Sequence, residues 1–180
     1  RRASIAGAMT SPGRDDGGGD MDASRSLVAR STPWDMVLTR TCDTPRRIVF
    51  RAWTEPAQLA RWWGPRGFTN PVCELEPRPG GALHIDMRGP DGKVYRTVGA
   101  FREVVEPERL VFTGSALDDT GRPLFEVLNS VTFSERGGTT SVTVQAQVLK
   151  WIPAGERFLD GMEEGWGQTL ERLAAAVARS

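Results

Sequence analysis

Residues 154–179 read AGERFLDGMEEGWGQTLERLAAAVAR, and the spacing of their apolar side chains decides the fold. Phe158, Met162, Trp166, Leu170, Leu173 and Val177 recur at steps of four, four, four, three and four. On a 3.6-residue repeat they form one stripe, with Glu156, Glu163, Glu171 and Arg172 largely off it. The stretch predicts one continuous amphipathic helix that needs an apolar surface to cover. Gly161, Gly165 and Gly167 run against that prediction, each costing about 1 kcal/mol relative to alanine in a helix interior. Two explanations stand: close backbone approach where the helix crosses a sheet, or room left for a guest beneath it.

The surface to be covered lies upstream. TTSVTVQAQV (139–148) alternates Val142, Val144, Ala146 and Val148 against Thr143, Gln145 and Gln147. Alternation of period two marks a strand with one apolar face. FEVLNSVTFSE (125–135) places Val127, Asn129, Val131 and Phe133 together, and RLVFTG (109–114) alternates Leu110 and Phe112. GGALHIDMRGPDGKVYRTVGAF (80–101) reads as a hairpin turning at Gly89-Pro90-Asp91-Gly92. Its first arm sets Leu83, Ile85 and Met87 against His84, Asp86 and Arg88; in the second, Gly99 marks a candidate bulge. An antiparallel sheet with one apolar face needs a cover, and the last helix supplies it.

Further upstream, WDMVLTRTC (34–42) reads as the first strand. In DTPRRIVFRAWTEP (43–56), Asp43 or Thr44 is placed to cap a helix, and Ile48, Val49, Ala52 and Trp53 form its stripe. Thr54 is placed to cap a second short helix, PAQLARWW, which Gly64-Pro65 stops. Trp62 and Trp63 are adjacent, about 100° apart on a helix, so one anchors the core with Leu59 and the other is left for a rim or pocket.

Composition bounds the function. The 180 residues carry 23 basic and 23 acidic side chains, with a pI near 6.8. Such a chain has no general electrostatic grip on phosphate backbones, which argues against nucleic acid. One histidine and two cysteines are too few for the usual zinc site, and no cofactor is implied. Cys42 and Cys73, outside any CxxC, read as free thiols of a reducing, cytoplasmic compartment. No apolar run is long enough to span a membrane. Residues 1–33 contain a GGG tract and no aromatic residue before position 34, which predicts a disordered tail or an added extension, with Met9 and Met21 as candidate starts. Residues 34–180 then form a single domain.

Four blocks in order, DTPRRIVFRAWTEPAQLARWWGP (43–65), ELEPRPGGALHIDMRGPDG (74–92), VEPERLVFT (105–113) and GMEEGWGQTLERL (161–173), give this chain a resemblance over about 34–179. It resembles the bacterial relatives of the activator of heat-shock protein 90 ATPase, in the START-like, birch-pollen-allergen-like (SRPBCC) superfamily. The resemblance implies an α+β helix-grip fold. In it a curved antiparallel sheet of six or seven strands surrounds a long C-terminal helix, with two short helices after the first strand and an apolar cavity between helix and sheet. The chain looks like the C-terminal module of the eukaryotic co-chaperone standing alone. Ala82-Leu83 after Gly80-Gly81, where relatives often carry a larger or basic residue, implies a wider cavity.

On that fold the expected lining is Leu83, Ile85, Met87, Phe112, Val131, Phe133, Val144, Met162 and Trp166, with Phe68 and Trp63 near the mouth. Asn129 is expected to orient a polar end of the ligand. The expected partner is a small hydrophobic molecule, in a monomer or a homodimer. A chaperone contact is one alternative; a cyclase or hydrolase in the same cavity is another. No catalytic arrangement supports the enzyme: a triad would have to borrow His84 from the polar face, and neither GPRG nor GPDG cradles phosphate. The carboxylate pairs Asp118-Asp119 and Glu163-Glu164 are adjacent, so neither flanks a scissile bond.

Overall fold

The computed structural model describes residues 32–179; residues 1–31 and 180, and with them almost all of the expected tail, lie outside the described part. The elements run β1 (Met36–Cys42), α1 (Arg46–Thr54), α2 (Pro56–Trp62), β2 (Thr69–Leu75), β3 (Ala82–Arg88), β4 (Val94–Val105), β5 (Arg109–Leu117), β6 (Pro123–Arg136) and β7 (Thr139–Trp151). A 3₁₀ turn (Pro153–Gly155), α3 (Glu156–Asp160) and α4 (Met162–Val177) complete the described chain. The strands form one antiparallel, curved seven-stranded sheet of order β1-β7-β6-β5-β4-β3-β2. The class is α+β.

Six of these strands follow from alternation or turn signals, but β2 does not. Its sequence TNPVCEL carries Pro71 and has no clean period, and a register shift falls between Thr69 and Val72. Such a strand is tolerated because β2 is the edge of the sheet, where a missing amide donor costs no ladder bond. The bulge in β4 lies between Phe101 and Glu103, not at Gly99. Gly99 answers a different demand: a Cβ there would lie 1.8 Å from the carbonyl oxygen of Thr113 on β5.

The caps also differ from expectation. Neither Thr44 nor Thr54 caps a helix through its side chain. The first amide of α1, that of Arg46, instead donates to the Glu135 carboxylate at the end of β6 (2.8 Å), an anion at a helix N-terminus. Thr44 is turned inward, where its carbonyl accepts from the Thr140 hydroxyl at 2.6 Å. A tertiary carboxylate has replaced a local cap, which the local sequence has no means to signal.

The core lies between the inner sheet face and the helices. Val49, Phe50, Ala52 and Trp53 of α1 are buried, so Phe50 occupies the place expected for Ile48. Phe50 meets Phe133 edge-on at 5.3 Å. Trp62 is 1 % exposed and donates its indole N–H to the Ala52 carbonyl (3.1 Å), while Trp63 is half-buried; Trp62 is therefore the anchor. Removing an aromatic side chain from such a core costs about 3–5 kcal/mol.

The last segment is not one helix. It breaks at Gly161 (φ −92°, ψ 0°) into α3 and α4, glycine being the poorest helix former after proline. The break splits the stripe. Leu170, Leu173 and Val177 are buried in the core, while Phe158, Met162 and Trp166 are half-buried near the break. Close backbone approach does not explain these glycines. A Cβ on Gly161 would meet only the Phe158 carbonyl oxygen at 3.9 Å, one on Gly165 only Pro65 at 3.7 Å, and one on Gly167 nothing within 4 Å.

Gly167→Ala is therefore expected to stabilise the domain by about 1 kcal/mol through helix propensity alone. Urea denaturation would register this as a higher midpoint with an unchanged m-value.

Candidate functional site

Where small side chains face one another, the sheet and helices fail to close. The inner face of β5 tapers from Leu110 and Phe112 to Gly114 and Ala116, and the facing helices contribute Gly161 and Gly165. All four small residues line a cavity of about 540 Å³ that opens to solvent. That volume lies within the range of roughly 300–1,000 Å³ usual for small-molecule sites.

Its inner end is aromatic. Trp166 stacks on Trp53 (6.1 Å between centroids, 16° between planes) and meets Trp63 edge-on at 5.3 Å. Phe112 lies 6.4 Å from Trp63. At the mouth Tyr95 stands between Phe68 (5.9 Å) and Phe158 (6.1 Å). Lys93 lies 5.4 Å from the Tyr95 ring and Arg157 4.6 Å from the Phe158 ring, each cation against an aromatic face.

The structure brings Trp63, Phe68, Leu83, Met87, Phe112, Asn129, Met162 and Trp166 onto this wall. Ile85, Val131, Phe133 and Val144 are not on it; each is at most 2 % exposed, within the packed core. They share the inner sheet face, and over β6 Phe50 and Trp53 of α1 lie against Phe133 and fill the space there. Ala82 is exposed and so does not widen the cavity, whereas its neighbour Leu83 lines it. Sequence reasoning missed Tyr95, Thr97, Gly114, Ala116 and Val127. The taper of β5 toward TGSA was the available signal for two of them.

Arg172, which the periodicity sets largely off the apolar stripe, is the clamp of the loop that carries Trp63 and Phe68. Its Nη1 donates to the carbonyls of Trp63 (3.1 Å), Gly64 (2.8 Å) and Pro65 (2.9 Å), and its Nη2 to those of Arg61 and Phe68 (3.2 Å each). The planar fork of guanidinium donors suits such a carbonyl ring. Partial burial lowers its pKa from the ordinary arginine value by disfavouring the charged form. Gln168 adds to the clamp by accepting from the Arg66 amide at 3.1 Å, and Glu171 pairs with the Arg66 guanidinium. In the same loop Gly64 adopts φ 89°, a conformation that side chains strain to reach.

The polar chemistry is sparse. His84 stands on the outer sheet face, as its alternation predicts, 2.9 Å from Asp86 and 3.5 Å from Glu74. Among the described residues no group of three or more His, Cys, Asp or Glu could hold a metal. Asp118 and Asp119 do sit at the mouth, yet one Asp118 oxygen already accepts from the Thr120 hydroxyl (2.6 Å) and the Arg122 amide (2.9 Å). Those donors, Thr120 first, hold its carboxyl below the usual aspartate value. Both cysteines are free, and burial pushes each thiol up to about 11. Nucleophilic thiolate is therefore scarce near neutral pH. Within the wall, the Thr169 hydroxyl is satisfied by the Gly165 carbonyl (2.7 Å), whereas the Asn129 side-chain oxygen is buried without a partner among the described residues.

The family model for the activator of Hsp90 ATPase homolog 1-like proteins matches residues 43–178. The chain belongs to this family. Solved relatives share its fold. A Chromobacterium violaceum protein is 29 % identical, with a TM-score of 0.68 over 81 % of this chain and 98 % of that one. One from Nitrosomonas europaea is 28 % identical (TM-score 0.66; 81 % and 94 % covered), and the AHSA1 protein of Silicibacter pomeroyi 26 % (0.67; 80 % and 97 %). No curated protein matches the chain. Among the described residues of this family member, no helix is long and apolar enough to cross a membrane.

Two outcomes test this description of the site. Arg172→Met keeps the apolar stem but leaves five carbonyls without their donor, and is expected to cost about 1–3 kcal/mol in chemical denaturation, with Arg172→Lys recovering only part. For the thiols, a folded pKa near 11 against 9.0 for the free group favours the neutral form in the fold. Their contribution is complete below about pH 9 and lost as pH rises toward 11. A Cys42→Ala/Cys73→Ala variant should thus show a flatter stability profile across that window than the native chain, and iodoacetamide at pH 8 should label the native thiols far more slowly than unfolded ones.

Proposed function

We propose that this domain is a helix-grip binding protein that takes a small, largely apolar molecule into the cavity between sheet and α4 and releases it unchanged. The observation that carries the reading is the meeting of small residues from both walls, Gly114 and Ala116 with Gly161 and Gly165. A helix that only covered a core would gain from alanine or leucine at Gly165, where the nearest obstacle is Pro65 at an ordinary contact distance of 3.7 Å. Within α4, Gly165 concedes about 1 kcal/mol and gains no packing. A cavity kept open at that cost, rimmed with aromatic rings and reaching solvent, is what a binding site requires.

The composition of the wall supports the ligand class. Rings of Trp63, Phe112 and Trp166 at the inner end favour an apolar, flat body, with few polar groups to fix its direction. The clamp of Arg172 on the Trp63–Phe68 loop supplies a rigid rim, which lowers the ordering cost of binding.

Displacement of a lipophilic fluorescent dye tests the proposal directly. The native domain is expected to bind the dye in the micromolar range, Gly165→Leu to weaken it at least ten-fold by filling the cavity, and Trp166→Ala to alter affinity without unfolding the chain. Absence of dye binding above background, or full binding by a correctly folded Gly165→Leu, would discard it.

A further inference from the structure

Among the described residues, Asn129 is a buried side chain on the cavity wall whose oxygen the fold leaves unused. It lies on β6, paired with Phe112 of β5 and Ala146 of β7, and its position on the inner face is fixed by that register. The residue is 5 % exposed, and its carboxamide oxygen is buried with no hydrogen-bond partner. Beside it Gly114 has no side chain, and a Cβ placed there would lie 3.4 Å from the Thr97 methyl and 3.9 Å from the Asn129 amide nitrogen. Gly114 thus leaves space where a larger residue would press on the amide.

An inward asparagine among valines and phenylalanines is costly unless something bonds it. Its neighbours in the β6 row, Val127, Val131 and Phe133, are apolar and buried. Leucine would be sterically similar there and would pack without an orphan acceptor. The other buried polar group of the wall, Thr169, is satisfied within its own helix. Of the two buried polar residues on the wall, Asn129 is the one whose acceptor has no partner among the described residues. Among the described residues no donor holds its oxygen in place, so the carboxamide can turn about its terminal bond and present either its oxygen or its NH2 group to the hollow, the other group taking the shielded position.

We infer that the cavity selects a flat aromatic molecule whose inner end carries a hydroxyl or N–H group, donated to the Asn129 side-chain oxygen. This rests on the reading of the cavity as a binding site. The aromatic body lies against Trp63, Phe112 and Trp166, and the donor reaches the hollow at Gly114. A site that bonds a ligand hydroxyl discriminates against the analogue lacking it, because that analogue leaves the acceptor buried and unpaired.

The matched probes are 2-naphthol and 2-methoxynaphthalene, compared by equilibrium dialysis. They differ in the donor and keep the ring. The native domain is expected to bind 2-naphthol about three- to ten-fold more tightly, the worth of one net hydrogen bond. Asn129→Leu, shown to be folded by circular dichroism, should abolish that preference while still binding the methoxy compound; Asn129→Ala serves if the leucine variant does not fold. Equal binding of both probes by the native domain would overturn the donor inference while leaving the cavity a binding site. A preference that persists in the folded variants would overturn the assignment to Asn129. Failure of both probes to bind would instead overturn the reading on which the inference rests.

Discussion

The indole of Trp53 sets the boundary between packed protein and open space. It projects from α1 into the layer between helices and sheet, 2 % exposed. There it meets the rings of Trp62 (4.9 Å), Phe133 (6.0 Å) and Trp166 (6.1 Å). On one side of it α1, β6 and β7 close tightly, and Phe133 and Val144 join the core. On the other, only Trp166 and Trp63 continue the aromatic cluster before the small residues begin. A side chain of this volume cannot move without displacing several neighbours, because protein interiors are packed at crystal-like density. The position of the cavity therefore follows from one rigid, crowded residue.

The open side is kept open by a different device. Arg172 ties the Trp63–Phe68 loop to α4 by donating to the carbonyls of Trp63, Gly64, Pro65 and Phe68, converting a run of acceptors into a fixed ring. Cation and carbonyls are partly shielded from water, so the bonds are stronger than surface contacts of the same geometry. The family to which the chain belongs is thus represented here by a sheet, a split helix and one arginine that joins the helix to the rim.

Much of this was legible in the sequence. The alternation in 139–148 and 125–135, the turn at 89–92 and the stripe ending at Val177 each rest on local periodicity. Periodicity reports which face is buried. It does not report what lies against that face, and this is where the reading of the site went astray. Ile85, Val131, Phe133 and Val144 share the inner face with Leu83, Met87 and Asn129, so alternation alone assigns them one environment. The helices above the sheet divide them. Gly161 was visible as an anomaly but not as a break, because a glycine within a sound stripe is often tolerated.

The sequence by itself determined six of the seven strands, the two short helices and the helical character of the last segment, which sides of them are apolar, and the family to which the chain belongs, since all of these follow from residue order and spacing. Only the tertiary structure decided where the apolar sides touch and where they stand apart. It set Glu135 where a local cap of α1 was expected, brought Arg172 from off the apolar stripe onto the rim, and placed Gly114 and Ala116 in one cavity with Gly161 and Gly165. The physical reason is the same in each case: these features depend on the meeting of residues tens of positions apart, and packing, charge pairing and the absence of a side chain act through space.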